Sequence, residues 1–461
     1  MSSTAFQRTP LAMAVCAALF HASAHAAPDP ADDPAPGDTL TLYTAANDLR
    51  LQNFDVAALP DGRFAVVWLE QNLDDVNETI KLARFDSTGT RVGDTLTVFS
   101  DASSSISLSN PVMAADGDGD LVLAWEADVG GNDCTDTVAF TLLPSEGMPG
   151  IMQWAPETSG QHCDVSLAMN QDGAFVLGWT LEDPDNVSQR FQYQARRFNA
   201  DGTAMGAAET LAQAGNTLFP MALAMQGDTW LAAWSTYDNG LVIHGQRFNI
   251  NGTALDATPF RLDDGSQQGA SLSQVYPTLV ADEDGGFVGV WHQMEAVDSQ
   301  PVTSIQGQRL QADGTAGADF LIASDTEIMQ PIPPLGLALY GDQIITTWTH
   351  FRQAQPPVSL VAGVDGDASV GDPVPIVSGD EDTIDYSLAT RVVVTDTVAA
   401  LVWFQQQDGE SYEIKALVQA LPESPDPEPA PQEDDDDNSG ATGLLTLLGL
   451  GLLALRRRVR R

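Results

Sequence analysis

The chain has 461 residues, with 20 basic against 64 acidic side chains, a net charge of −44 and only two lysines, Lys81 and Lys415. Such a surface repels nucleic acid and anionic membrane, which excludes nucleic-acid binding, and it strains the compact state by self-repulsion unless salt screens it. A saline habitat suits that balance.

Residues 1–26 carry one positive charge at Arg8, an apolar stretch from Leu11 to Phe20 and a small-residue exit, Ala24-His25-Ala26. This is the layout of a secretory signal removed by signal peptidase, so the body is expected outside the cytoplasm. Cys16 follows Val15 where a lipoprotein signal wants a small residue, which argues against lipidation there. Residues 27–37 form a Pro/Asp-rich linker. Without Arg8 and the five arginines of the tail, 14 basic residues remain and the charge is −50.

Residues 38–421 are built on a repeat. "AVVW" ends at Trp68, "VLAW" at Trp125, "VLGW" at Trp179, "LAAW" at Trp234, "VGVW" at Trp291, "ITTW" at Trp348 and "ALVW" at Trp403, at intervals of 57, 54, 55, 57, 57 and 55. Each unit reads as four short strands, in the first case "FDVAAL", "RFAVVW", "TIKLARF" and "DTLTVF", separated by Gly, Asp and Asn turns, with no sustained helical period. Four strands per unit at this period predict an all-β fold, a seven-bladed β-propeller with four antiparallel strands per blade. "GDTLTLY", Gly37 to Tyr43, nearly copies the fourth strand "GDTLTVF", and the last unit stops after its third strand, "EIKALVQAL". An N-terminal strand completing the last blade would close the ring and remove two exposed sheet edges.

If the first strand is innermost, the long, variable connections between strands two and three, and from strand four to the next unit, share one face. Binding is expected there. Cys134 and Cys163 fall on that face and are expected to pair in an exported protein, closing a loop worth about 3 kcal/mol. The run "DGDGD" offers Asp116, Asp118 and Asp120 as weak calcium candidates, but Ala127 stands where a calcium loop needs a glutamate and neighbouring units carry "PDG", "QDG" and "EDG" there, so a hairpin turn is the better reading and no cofactor is required. Arg84, Arg197, Arg247 and Arg309 recur once per unit at the end of the third strand, which makes them scaffold, paired with turn aspartates, rather than a sialidase-type clamp. His162, His292 and His350 lie near the loop face on different units, and His244 within a third strand; scattered histidines, not a metal site, are expected. The polar residues at the entry of the inner strands, Asn53, Asn110, Asp164, Tyr276 and Asp385, are the possible mouth residues. An enzyme would show a non-repeating cluster of acid, base and nucleophile at that ring.

Residues 422–440 hold five prolines and eight carboxylates between Pro422 and Ser439 and read as an extended stalk. Residues 441–455 are a short apolar helix, about 22 Å against a hydrocarbon core of about 30 Å. Residues 456–461 carry five arginines, which would hold the end in the cytoplasm. With Ser439, Gly440 and Gly443 ahead of it, this tail resembles the GlyGly-CTERM sorting signals of Gram-negative bacteria. The resemblance implies cleavage by a rhomboid-type sorting protease and display at the cell surface, with a membrane helix before processing. The body repeat resembles the tandem "DGGFVVAW" and "QRFD" units of bacterial surface proteins, which implies no activity. The sequence therefore points to a non-enzymatic, surface-displayed propeller that binds a protein or glycan through its loop face, with a secreted propeller glycoside hydrolase or polysaccharide lyase as the alternative.

Overall fold

The computed structural model describes residues 39–421 apart from 75–76, 101–105, 129–136, 157–160, 184–189, 216–218, 264, 266–271, 298–299, 326–334, 351–357, 366–367, 370–372, 379–389 and 408–410. The chain divides into two compact units, Met1–Leu421 and Pro422–Arg461. The signal, stalk, apolar segment and arginine tail lie outside the described residues. Among the described residues no helix is long and apolar enough to cross a membrane.

The first unit is all-β, and its strands follow one another as antiparallel meanders. After β1 (Leu40–Thr44) come β2 (Leu49–Ala58), β3 (Phe64–Asn72), β4 (Glu78–Phe85) and β5 (Arg91–Ser100), paired in that order. The same order recurs in β6 (Ser107–Ala115), β7 (Leu121–Asp128), β8 (Thr137–Leu143) and β9 (Gln153–Trp154), then in β10 (Gln161–Met169), β11 (Phe175–Glu182), β12 (Phe191–Phe198) and β13 (Glu209–Gly215). Next are β14 (Ala222–Gln226), β15 (Thr229–Tyr237), β16 (Leu241–Asn249) and β17 (Phe260–Arg261), followed by β18 (Ser273–Ala281), β19 (Phe287–Val297), β20 (Gln300–Leu310) and β21 (Phe320–Asp325). The chain ends with β22 (Gly336–Tyr340), β23 (Gln343–His350), β24 (Val358–Asp365), β25 (Ala368–Ser369) and β26 (Val374–Ser378), and with β27 (Thr390–Val394), β28 (Val398–Gln407) and β29 (Ser411–Ala420). This is a β-propeller.

Hydrogen bonding delimits five separate blades, not the seven expected. Strands β14 to β21 form one continuous eight-stranded sheet. The reason is local: the connection after β17 returns beside β16, so that Leu241 and Ser273 form a single parallel pair and the Leu241 amide donates to the Leu272 carbonyl at 2.9 Å. At the seam, β1 pairs antiparallel with β29, Leu40 opposite Ala416 and Thr44 opposite Glu413. A buried latch fastens it: the Tyr43 hydroxyl donates to Glu70 Oε1 at 2.6 Å, and the Trp68 indole donates to the same oxygen at 3.1 Å.

The tryptophan period has a packing cause. The strand carrying each marker tryptophan is covered on both faces, as in "FAVVWLE" of β3, where all seven side chains are buried, whereas the outer strand β5 is mostly exposed. A strand buried on both faces needs a continuous apolar run rather than alternation. Trp68, Trp125, Trp179, Trp234, Trp291, Trp348 and Trp403 are all buried, and each fills the space between its own sheet and the preceding repeat.

The recurring arginines are scaffold, but turn aspartates are not their shared partner. Each reaches forward to a carbonyl of the next repeat's turn: Arg84 to Pro144 at 3.0 Å, Arg197 to Ile250 at 3.0 Å, Arg247 to Ala312 at 2.7 Å, and Arg309 to Asp342. Arg247 also grips Asp256 within its own repeat, through Nη2 at 2.7 Å and Nε at 3.2 Å, and Arg197 pairs there with Glu209 at 2.5 Å. The receiving turns need glycine. A Cβ on Gly314, at φ +86°, would lie 2.2 Å from Arg247 Nη2. Gly314→Ala is therefore expected to cost more than about 1 kcal/mol in equilibrium unfolding; an unchanged midpoint would mean the arginine is not held there.

Candidate active site at the channel mouth

The entry half of each inner strand is irregular where a polar residue stands. The ladders break between Gln52 and Phe54, Ser109 and Val112, Cys163 and Ser166, and Val275 and Thr278. The residues at these bulges, Asn53, Asn110, Asp164 and Tyr276, have φ of 29°, 47°, 56° and 56°. A bulge re-aims the side chain it carries, and a positive φ is strained for any residue but glycine, most of all for an aromatic one. All four line one cavity of about 490 Å³, with Asp55, Glu126 and Arg391. Asp385 lies outside the described residues.

A polar chain crosses the floor of this cavity. Asn53 Nδ2 donates to Asn110 Oδ1, and Asn110 Nδ2 to Glu126 Oε2, both at 3.0 Å. Glu126, only 3% exposed, also accepts from Ser109 Oγ and from the Val165 amide, each at 3.0 Å. Burial pushes its carboxyl up, and the donors, the Val165 amide foremost, pull it back. Beside it, Asp164 is pushed up to about 7, first by burial and then by the negative charge of Glu126. Its Oδ2 is buried without a hydrogen-bond partner. Two carboxyl groups thus sit together, both raised by burial, with the charge of Glu126 adding to the rise at Asp164.

Tyr276 stands edge-on to Phe219, centroids 5.3 Å apart, and to His292 at 6.4 Å. Burial, and then the charge of Asp164, raises its hydroxyl pKa. His292 is 2% exposed, both ring nitrogens lack partners, and burial lowers its pKa to about 4, so it is neutral near pH 7. Opposite, Arg391 Nε lies 3.7 Å from Asp55 Oδ1, and the Met113 amide donates to Asp55 Oδ2 at 2.9 Å. Arg391 Nη1 is buried and unpartnered. Burial pushes the Asp55 carboxyl up, with Arg391 opposing.

Other expected residues do different work. Asp116 Oδ1 accepts the amides of Asp118 and Asp120 at 3.0 and 2.9 Å, and Asp120 Oδ1 accepts that of Ser145 at 2.6 Å, so these oxygens serve the hairpin. Among the described residues no group of three or more histidine, cysteine and acidic side chains is placed to hold a metal. His162 and His292 are buried strand residues on β10 and β19 rather than loop residues, and His244 lies on β16. His350 ends β23. Cys163 is buried on β10, and Cys134 lies outside the described residues. The expected bridge between them is checked by intact mass, which should rise by two hydrogens on reduction; two thiols alkylated in the native protein would sink it.

The mouth residues absent from the sequence reading, Asp55, Glu126 and Arg391, carry a positional signal. Glu126 directly follows a marker tryptophan, where other repeats have Leu69, Thr180, Ser235 and Phe404. Asp55 and Arg391 occupy equivalent rungs, opposite the residue before the marker tryptophan, where other repeats place Val112, Ser166, Ala222, Thr278 and Gly336. The opposite end of the channel holds a cavity of about 360 Å³ lined by aliphatic residues and the carboxylates Asp282, Glu283, Asp284 and Asp342, with no basic, phenolic or nucleophilic side chain.

No family model and no curated protein sequence matches the chain. Solved structures share its fold. A Dyadobacter fermentans protein of unknown function is similar at TM-score 0.49 and 9% identity, over 83% of this chain and 98% of that one. A polysaccharide lyase is similar at 0.47 and 11%, over 82% and 90%, and an α-L-arabinanase of Penicillium chrysogenum at 0.43 and 12%, over 72% and 99%. The likeness is one of fold. The non-enzymatic interaction module expected from the sequence is corrected here: the mouth carries a non-repeating cluster of three carboxyl groups, a phenol and a guanidinium, Asp55, Glu126, Asp164, Tyr276 and Arg391.

Proposed function

We propose that the protein is a propeller enzyme that cleaves polysaccharide at this mouth, a glycoside hydrolase or polysaccharide lyase. The observation that carries the reading is Asp164, with its pKa near 7 and a buried, unpartnered oxygen beside Glu126. Both reaction types must protonate the leaving glycosidic oxygen, and a carboxyl group that keeps its proton close to neutral pH is suited to that task. Burial, and then the charge of Glu126, hold Asp164 in that state; Asn53, Asn110 and the bulges fix the positions, and Tyr276 offers an aromatic edge and a hydroxyl to a sugar.

The reading includes seven blades, the eight-stranded sheet being two blades joined at the Leu241 and Ser273 pair; seven hydrophobic clusters among the described residues support it. It also includes export and surface display through the two terminal signals, which mass analysis of the protein recovered from the cell exterior would test. The activity is tested by incubating the full chain with a broad panel of polysaccharides and following chain length by size-exclusion chromatography. Depolymerisation of at least one is expected, and a panel left intact would sink the enzymatic reading.

A further inference from the structure

Resting on that reading of the mouth, we propose that the substrate is an uncharged polysaccharide and that the reaction is hydrolysis, with Asp164 as the acid and Asp55 as the base. The charges that line the cavity are three carboxylates, Asp55, Glu126 and Asp164, and among the described lining residues the only cation is Arg391. That cation is already engaged, 3.7 Å from Asp55. An elimination next to a uronate carboxylate needs a cation free to neutralise the substrate's anion. Here a uronate brought to Arg391 would meet Asp55 in the same ion pair and Glu126 on the floor, within a chain of charge −44. Like charges this close in a partly dry cavity repel strongly. A neutral partner, a sugar hydroxyl or ring oxygen, is better matched to the engaged Arg391, since it takes a charge-assisted hydrogen bond from a guanidinium without adding a negative charge.

A cationic amino sugar fits no better. A positive charge beside Asp164 would favour its ionised form and strip the acid of the proton it must donate. An uncharged glycan disturbs neither the Asp55 and Arg391 pair nor the protonation of Asp164. The cavity wall agrees with this, since Pro111, Val112, Val165, Leu167, Met221 and Leu279 give the apolar faces of pyranose or furanose rings a surface to cover.

The step balances as follows. The Asp164 proton passes to the glycosidic oxygen, and the bond from that oxygen to the anomeric carbon breaks with its electron pair on the oxygen. A water molecule bonds to the anomeric carbon and gives its proton to the Asp55 carboxylate, so that one water is added across the bond and the protons return through solvent. Arg391 positions Asp55 and opposes the rise that burial gives its carboxyl.

The full chain is tested against arabinan, xylan and galactan as uncharged polymers, against alginate, polygalacturonate and ulvan as uronates, and against chitosan as a polycation. New reducing ends on an uncharged polymer, without ultraviolet absorbance from an unsaturated sugar, are expected, with kcat/KM at least about a hundredfold above that on any uronate or on chitosan. In H₂¹⁸O the label should appear at the new reducing end. An unsaturated product, or preferred cleavage of a uronate or of chitosan, overturns the uncharged-substrate proposal while leaving the mouth an enzyme site. Cleavage of none of the seven overturns this proposal, while the enzymatic reading falls only if the broader panel is also left intact.

Discussion

Asp164→Asn is expected to lower kcat by about 10² to 10⁴-fold and, in the same molecule, to raise stability above neutral pH. Both effects follow from one cause. Burial and the charge of Glu126 lift the Asp164 carboxyl from 3.8 to about 7, so the acid form that can donate a proton is the main one below about pH 7, and activity that depends on it falls as pH rises beyond. Stability has the same direction. A group whose folded pKa is raised contributes its full stability below the unfolded value, near 3.8, and loses it as pH rises through about 7. The folded chain then carries an ionised Asp164 next to Glu126, at a cost of up to ~4 kcal/mol. Asparagine keeps the shape and never ionises. Unfolding in urea should therefore give nearly equal midpoints for the variant and the parent at pH 4, and a higher midpoint for the variant at pH 8. Glu126→Gln removes the neighbouring charge, and the alkaline limb of the pH profile should move to lower pH. Full turnover in Asp164→Asn would remove this carboxyl from the mechanism.

The largest loss of stability is expected from Arg247→Met. Its side chain is 7% exposed, it holds both oxygens of Asp256, and it donates to the Ala312 carbonyl of the next repeat. Methionine leaves Asp256, itself 16% exposed, as an uncompensated buried charge, and breaking a buried pair from one side costs about 3–5 kcal/mol. Arg247→Met with Asp256→Asn should recover part of that loss, because the orphaned charge is gone. Arg84→Met is the control: its guanidinium makes one contact of this kind, to Pro144 at 3.0 Å near the surface, and about 1 kcal/mol or less is expected. Equal midpoints for Arg247→Met and Arg84→Met would refute the difference drawn between them.

The fold was legible because its repeat is enforced by volume. A tryptophan must fill each gap between neighbouring sheets, so Trp68 through Trp403 record the spacing of the sheets in the sequence. The boundary between β16 and β18 was not legible, since it depends on one backbone pair formed by a returning loop, and backbone pairs leave no mark on residue type. At the mouth, the polar residues Asn53, Asn110, Asp164 and Tyr276 stood out against aliphatic inner strands, but their bulges and positive φ did not. Asp55, Glu126 and Arg391 were missed because they lie inside apolar strands, and their meeting depends on the closing of the ring rather than on any spacing along it. His292 follows Trp291 directly, but it stands inside a strand because β19 runs on to Val297.

That seam bears on when the mouth is complete. Asp55 and Arg391 belong to the first and last inner strands, and they meet only where β1 has joined β29. The first inner strand must therefore wait for the last before the two halves of this pair exist together. A chain whose ring is still open holds Glu126 and Asp164 but no completed mouth. The mouth is thus completed in a single event, the closing of the ring.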